Sequence, residues 1–201
     1  MNEPARRMRH TTKPNRRSNP PGVILTIGHS NRPLDQFLDL LKAHGVERVV
    51  DIRTIPRSRH NPQFNGDALK ISLRAAGIGY VQLKKLGGLR HTTRDSINTG
   101  WQNASFRGFA DYMQTADFAA GIERLLKLAV KKRCALMCAE AVPWRCHRSL
   151  VADALLVRGV AVEHIMSRTN LRPHSLTSFA RVRGTKITYP APAEMEHAIR
   201  A

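Results

Sequence analysis

The alternation of apolar and polar positions predicts most of the elements of this chain. "GVILTIGHS" (22–30) is a short, β-branched apolar run that breaks at Gly28, the pattern of a buried strand. In "RPLDQFLDLLKAHG", Leu34, Phe37, Leu38 and Leu41 recur at helical spacing and Gly45 offers a C-terminal stop, so an amphipathic helix follows. The pattern then repeats. "VERVVDIR" (46–53) reads as a second strand, "DALKISLRAAG" (67–77) as a helix ended by Gly77, and "IGYVQL" (78–83) as a third strand. Between 84 and 106 the chain is polar and glycine-containing, which predicts a long surface excursion with little regular structure. Helical spacing resumes from Phe106 to about Lys132, with a break near Thr115 and with Phe118, Ile122, Leu125 and Ala129 on one face. "RCALMCAE" is the fourth strand, "RCHRSLVADALLVRG" a helix with Leu150, Val151, Ala154 and Leu155 inward, and "VAVEHIM" the fifth strand.

Short apolar strands alternating with helices require crossover connections, which favour a parallel sheet covered on both faces. The fold expected is therefore α/β: an open, mainly parallel sheet of about five strands with helices on both faces. The domain layout expected is a flexible basic arm over 1–21, an α/β domain over 22–167, and a basic C-terminal extension over 168–201. Within that extension "ARVRGTKITYP" has the form of a small hairpin turning at Gly184. No internal repeat is visible at a period of 20–50 residues.

Composition narrows the setting. The chain has 201 residues, of which 42% are apolar, enough to bury a core. No run approaches a membrane span, and the first twenty residues lack the apolar segment of a secretory signal, so a cytoplasmic protein is expected. Three cysteines argue for reduced thiols rather than a disulfide framework. The formal charge is +18. Residues 1–20 account for only +5 of it, from Arg6, Arg7, Arg9, Lys13, Arg16 and Arg17 against Glu3, which leaves +13 on the remainder. Such a surface is attracted to phosphates, although a solvated arginine-rich surface explains the same composition. Aromatics make up 5% of the chain, and no alternation of aromatic and basic residues marks a base-stacking platform.

The polar chemistry collects where strands end, and in open α/β sheets ligands bind beyond the carboxyl ends of the strands. Strand one delivers His29 and Ser30; strand two delivers Asp51 and Arg53, with Arg57 and Ser58 beyond; strand four delivers Cys138 and Glu140. The next helix opens on Arg145, Cys146, His147 and Arg148. A thiol at a helix start among cationic side chains is a candidate thiolate, and the same start suits an anion held by Arg145 or Arg148. Cys134, deeper in the strand, reads as core. Three familiar templates do not fit. Cys138 and Arg145 are separated by six residues where a phosphatase loop has five, and neither GxGxxG nor GxxxxGK[ST] occurs. Cys138 and Cys146 are too far apart for a zinc knuckle, although a set of Cys138, Cys146, His147 and His29 remains geometrically open.

The segments "TIGHSNRPLDQFLDLLKAHGVERVVDIRTIPRSRHNPQF", "KKLGGLR", "GFADYM", "LMCAEAVPWRCHRSLVADAL" and "VEHI" resemble the domain-of-unknown-function 488 family of small bacterial and archaeal proteins. The likeness extends over about residues 23–190, with "LTSFARVRGTKITYP" resembling the family's C-terminal extension. It implies a Rossmann-like α/β domain and no established reaction. The family's motif positions correspond here to His29, Ser30, Asp51, Arg53, Pro56, Ser58, Phe64, Gly87, Gly88, Cys138, Glu140, Cys146, His147 and Arg148, without departure from the pattern.

The expected function is an enzyme acting on a phosphate-bearing substrate, a nucleotide or nucleic acid. Arg53, Arg57 and Arg148 would hold phosphate, Glu140 or His29 (with His147 nearby) would move protons, and Cys146 or Cys138 would be the nucleophile. Ser30, Asp51, Ser58, Gly87 and Gly88 complete the expected substrate-binding set. The alternative is a non-catalytic nucleic-acid-binding or redox-responsive module, and a weaker one is a metal-dependent hydrolase using His29, Asp51 and the cysteines. Partners expected on this reading are nucleic acid or a phosphorylated small molecule, with no membrane; no cofactor is specified.

Overall fold

The computed structural model describes residues 22–191, so the basic arm over 1–21 lies outside the described residues. The predicted alternation is realised in order as β1 (Ile24–Gly28), α1 (Leu34–Ala43), β2 (Arg48–Asp51), α2 (Gly66–Ala75), β3 (Gly79–Gln82), α3 (Ala104–Tyr112), α4 (Ala116–Ala129), β4 (Cys134–Cys138), α5 (Arg148–Leu156) and β5 (Val162–Ile165). Thr115 caps α4, its hydroxyl accepting from the Phe118 amide, which explains the break in the helical pattern there. These five strands are parallel and ordered β3-β2-β4-β1-β5. The sheet is thus a Rossmann-like α/β layer. A sixth strand, β6 (Leu171–Pro173), pairs antiparallel on β5.

The period-two alternation of each strand divides the core. Leu25, Ile27, Val49, Ala135 and Met137 pack against Phe37, Leu40 and Leu41 of α1 and Leu69 and Leu73 of α2. Ile24, Val50, Leu136 and both ends of β4, Cys134 and Cys138, face α3, α4 and α5. The buried face of α1 carries Leu40, whereas Leu38 stays half-buried.

Two features depart from the pattern reading. The hairpin expected in the C-terminal extension forms as β7 (Arg181–Arg183) and β8 (Lys186–Thr188), with Gly184 at φ +60° in its turn, but the extension also supplies the edge strand β6, which the pattern did not show. Ile187 and Tyr189 of this extension are core residues, so α5 is buried nearly all round. The excursion over 84–103 has little regular structure but is not merely surface. Leu86, Gly87, Gly88 and Asn98 are buried, and the Asn98 side chain accepts from the Tyr189 amide and donates to Asp111. Among the described residues no helix is long and apolar enough to cross a membrane.

The topology places a crevice. From β1 the chain crosses β4 to reach β2, while from the neighbouring β4 it crosses β1 to reach β5. The two connections leave adjacent strands in opposite directions, and the carboxyl ends of β1 and β4 are therefore a topological switch point.

Candidate active site

At that switch point opens a cavity of about 760 Å³, lined from strands distant in sequence by His29 and Ser30, by Arg53, Arg57 and Ser58, and by Cys138, Glu140, Arg145, Cys146 and His147. Three of the sequence-predicted residues lie behind its wall instead: Asp51, Gly87 and Arg148. The loop after β4 crosses directly over β1. His29 and Ser30 donate their amides to the carbonyls of Cys138 and Ala139, at 3.0 and 2.8 Å, which fixes the "GHS" and "CAE" segments side by side.

The second strand provides a rigid wall. Asp51 is fully buried and receives the Arg53 amide, its Nε and Nη2, and the Tyr80 hydroxyl. Arg53 gives two further donors to the Phe64 carbonyl at 2.8 Å and to His29 Nε2 at 3.2 Å. Burial without a counter-ion would cost this guanidinium several kcal/mol, so the bidentate pair is what allows it to sit here. The His29 ring stacks on Phe64 at 4.3 Å between centroids, and its Nδ1 lies 2.7 Å from the Ser30 carbonyl. A carbonyl only accepts, so Nδ1 carries the proton and Nε2 presents its lone pair to Arg53. Burial lowers the pKa of His29 to about 4. The lone pair that a general base would use is already engaged.

The fourth strand and the turn before α5 bring the thiols together. Cys138 and Cys146 are both buried, and their Sγ atoms are 2.8 Å apart. His147 donates Nε2–H to the Ile52 carbonyl at 3.2 Å, leaving the Nδ1 lone pair 3.6 Å from Cys146 Sγ. Burial lowers the His147 pKa to about 4, so the ring is a neutral acceptor. Arg148 passes beneath. Its amide points at Cys146 Sγ at 3.4 Å, and its Nη2 reaches the carbonyls of Glu140 and Ala141, both at 3.3 Å. Nε and Nη1 of this buried guanidinium have no hydrogen-bond partner among the described residues.

One proton is shared between two sulfurs in this arrangement. Burial opposes ionisation of Cys138, but the hydrogen bond from Cys146 and the Arg148 charge outweigh it and lower the Cys138 pKa. The Cys146 thiol is raised well above its ordinary value, because it holds the shared proton and is itself buried. The acidic thiol is therefore Cys138, at the strand end, and not the cysteine at the helix start. Cys134, at the far end of β4, is pushed up to about 11 by burial.

The two glycines serve packing. A Cβ on Gly87 would stand 2.5 Å from Thr54 Oγ1, and one on Gly88 would stand 2.9 Å from His147 Nδ1. Their lack of side chains lets the excursion press against the imidazole beside Cys146. Glu140 is exposed at the open rim rather than enclosed. Among the described residues no three His, Cys, Asp or Glu side chains converge as a metal site requires. The set of Cys138, Cys146, His147 and His29 does not assemble: the Nε2 lone pair of His29 is turned to Arg53 and its Nδ1–H to the Ser30 carbonyl.

Sequence reasoning missed Asn103, Ser105 and Phe106, which close the cavity from the start of α3. Asn103 caps that helix, accepting from the Ser105 and Phe106 amides, and an Asn three residues before an apolar position was the available signal. It also missed a buried polar chain under α5, in which Asp153 accepts from His174, Thr177 and Tyr189, while His174 contacts His164 at 3.1 Å.

The fold and this strand-end site define a small Rossmann-like α/β protein with a thiol pair at its switch point. The chain belongs to the family described as Domain of unknown function DUF488, whose model matches residues 33–155. No curated protein and no solved structure matches it.

Proposed function

We propose that this protein is an enzyme acting on a phosphate-bearing substrate in the strand-end cavity, with Cys138 as the reacting thiol. The observation that carries the reading is the 2.8 Å approach of Cys146 to a Cys138 sulfur that lines the cavity above the Arg148 guanidinium. A thiol held as a hydrogen-bond acceptor beside a buried positive charge is more acidic than a free one, which favours its use as a nucleophile. The arginines divide the remaining work. Arg53 is consumed by Asp51, Phe64 and His29 and shapes the wall, whereas Arg57 and Arg145 are exposed on the same cavity and offer free guanidinium forks to a phosphate. With the His29 lone pair engaged, Glu140 at the rim is the group placed to move a proton to or from substrate.

The test is peptide-resolved alkylation of the native protein as a function of pH, with inorganic phosphate or a nucleoside monophosphate as competitor. Cys138 is expected to react with a midpoint below the roughly 8.5 of a free thiol, and the competitor should slow it in the natural chain but not in Arg57→Ala/Arg145→Ala. A midpoint at or above the free-thiol value, indifferent to both anions, would remove the reading.

A second reading, a nucleic-acid-binding module, draws on one observation. Trp144 is 52% exposed and lies 5.0 Å from the Arg172 guanidinium, on the turn that also carries Arg145. Stacking of a base there predicts quenching of Trp144 fluorescence by single-stranded oligonucleotides, weakening steeply with salt. An unchanged signal at low salt would dispose of it.

A further inference from the structure

We infer that Cys138 and Cys146 form a two-electron redox couple that reduces a hydroperoxide and closes to an intramolecular disulfide, with His147 taking the proton from Cys146. This rests on the reading of Cys138 as the reacting thiol. It adds a partner, an oxidant and a second function for the site.

The geometry already contains the product's arrangement. Bringing Sγ atoms from 2.8 Å to the roughly 2.05 Å of a disulfide requires a movement of less than about 1 Å. The two sulfurs are reached from the same cavity and differ in acidity, so attack and resolution fall to different residues. In the first step the Cys138 thiolate attacks the distal peroxide oxygen. The S–O bond forms, the O–O bond breaks, the alkoxide leaves and takes a proton from water in the cavity, and Cys138 becomes a sulfenic acid. In the second step the Cys146 thiol gives its proton to Nδ1 of His147, which lies 3.6 Å away with its lone pair available because Nε2–H is bound to the Ile52 carbonyl. The Cys146 sulfur then attacks Cys138, the S–O bond breaks, and the departing hydroxide takes the proton from His147 and leaves as water. One thiolate, one thiol and one hydroperoxide yield one disulfide, one alcohol and one hydroxide, and the proton that Cys138 released on ionising converts that hydroxide to water. A dithiol reductant returns the couple to its starting state. Arg148 fits the first step, because its buried guanidinium charge favours the anionic Cys138 sulfur.

The experiment is a titration of the full reduced chain with hydrogen peroxide, quenched by alkylation and read by peptide mass mapping. One equivalent should join Cys138 to Cys146 with the loss of two hydrogens, leave Cys134 free, and be reversed by dithiothreitol. In Cys146→Ser, oxidation should stop at a Cys138 sulfenic acid that dimedone traps. In Cys138→Ser, Cys146 should still oxidise more slowly than Cys138 does in the natural chain, because burial continues to oppose its ionisation. His147→Gln keeps an N–H for Ile52 and loses the acceptor for Cys146, so dimedone-reactive Cys138 should accumulate before closure. Over-oxidation of Cys138 in the natural chain while Cys146 still alkylates would overturn the couple, as would oxidation of Cys134 at an equal rate. Phosphate protection without disulfide formation would discard this inference and leave the phosphate reading standing; disulfide formation without any anion effect would do the reverse.

Discussion

Gly28→Ala tests how the site is put together. An added Cβ at this last residue of β1 would fall 1.7 Å from the Glu140 carbonyl oxygen, 2.6 Å from its carbon and 3.0 Å from the Ala141 Cα. Ordinary contact begins at 3.4 Å, so the Glu140 peptide must retreat by half that distance, and every atom it meets is backbone. Gly28 is not among the residues of positive φ, so the cost is contact alone. Overpacking of a tight site costs about 1–3 kcal/mol, and a clash of backbone against backbone belongs at the upper end. At roughly 2–4 °C per kcal/mol for a domain of this size, the melting temperature should fall by roughly 6–12 °C. The retreat also takes the Glu140 and Ala141 carbonyls away from Arg148 Nη2, so the Cys138 alkylation midpoint should rise towards that of a free thiol. The control is Gly79→Ala, whose Cβ meets nothing nearer than the Glu47 carbonyl at 3.5 Å and should shift stability by about 0.5 kcal/mol or less. Both variants are measured by denaturant unfolding with linear extrapolation, together with the alkylation profile. If Gly28→Ala matches Gly79→Ala in midpoint and in thiol reactivity, the loop is not held against β1 as described.

Other expectations follow from buried groups. His29 and His147, at about 4, and His164, at about 3, lie below their unfolded value of 6.5 because burial disfavours the charged ring. The unfolded chain therefore binds more protons below pH 6.5, so their stabilisation is complete above that pH and is lost as pH falls towards 4 and then 3. Each histidine adds a slope of up to about 1.4 kcal/mol per pH unit; denaturant midpoints that stay flat between pH 6.5 and 4 would contradict it. Tyr189→Phe leaves the buried Asp153 one donor short and should cost about 1–2 kcal/mol by denaturant unfolding. The Lys85–Asp117 pair is more than half exposed on both sides, so Asp117→Asn should leave the denaturant midpoint unchanged.

Periodicity was sufficient for the core sheet because central strands such as β1 and β4 bury both faces while α1, α2 and α4 each bury one. The five parallel strands and five helices were legible from "ILTIG", "RVVD" and "CALMC" and from the helical runs between them. The order of strands was not legible, since nothing in β1 or β4 states that β4 inserts between β1 and β2. The hairpin of the C-terminal extension was legible, but its edge strand and its burial were obscured for a related reason. Its anchors are one Ile, one Tyr and a three-residue edge strand, too few for any period to register, yet Tyr189 is fully buried against Asp153.

The thiols show where local rules of sequence stop. Cys146 stands at a helix start with Arg145, His147 and Arg148 around it, and each of those neighbours is of a type that acidifies a cysteine. In the folded chain none of them does so decisively. Arg145 is exposed at the cavity rim, His147 is half-buried and neutral, and the Arg148 charge is shared with Cys138. What decides the matter is a contact across eight positions: two sulfurs at 2.8 Å can keep one proton between them at low cost, and the sulfur that keeps it is the one facing the His147 lone pair. Cys138 is the more acidic of the two because it also feels the Arg148 charge, although an isolated cysteine in the same strand, Cys134, is driven the other way by burial. Two cysteines of one strand, on the same face and four positions apart, thus differ in reactivity through a partner that only the turn before α5 can deliver.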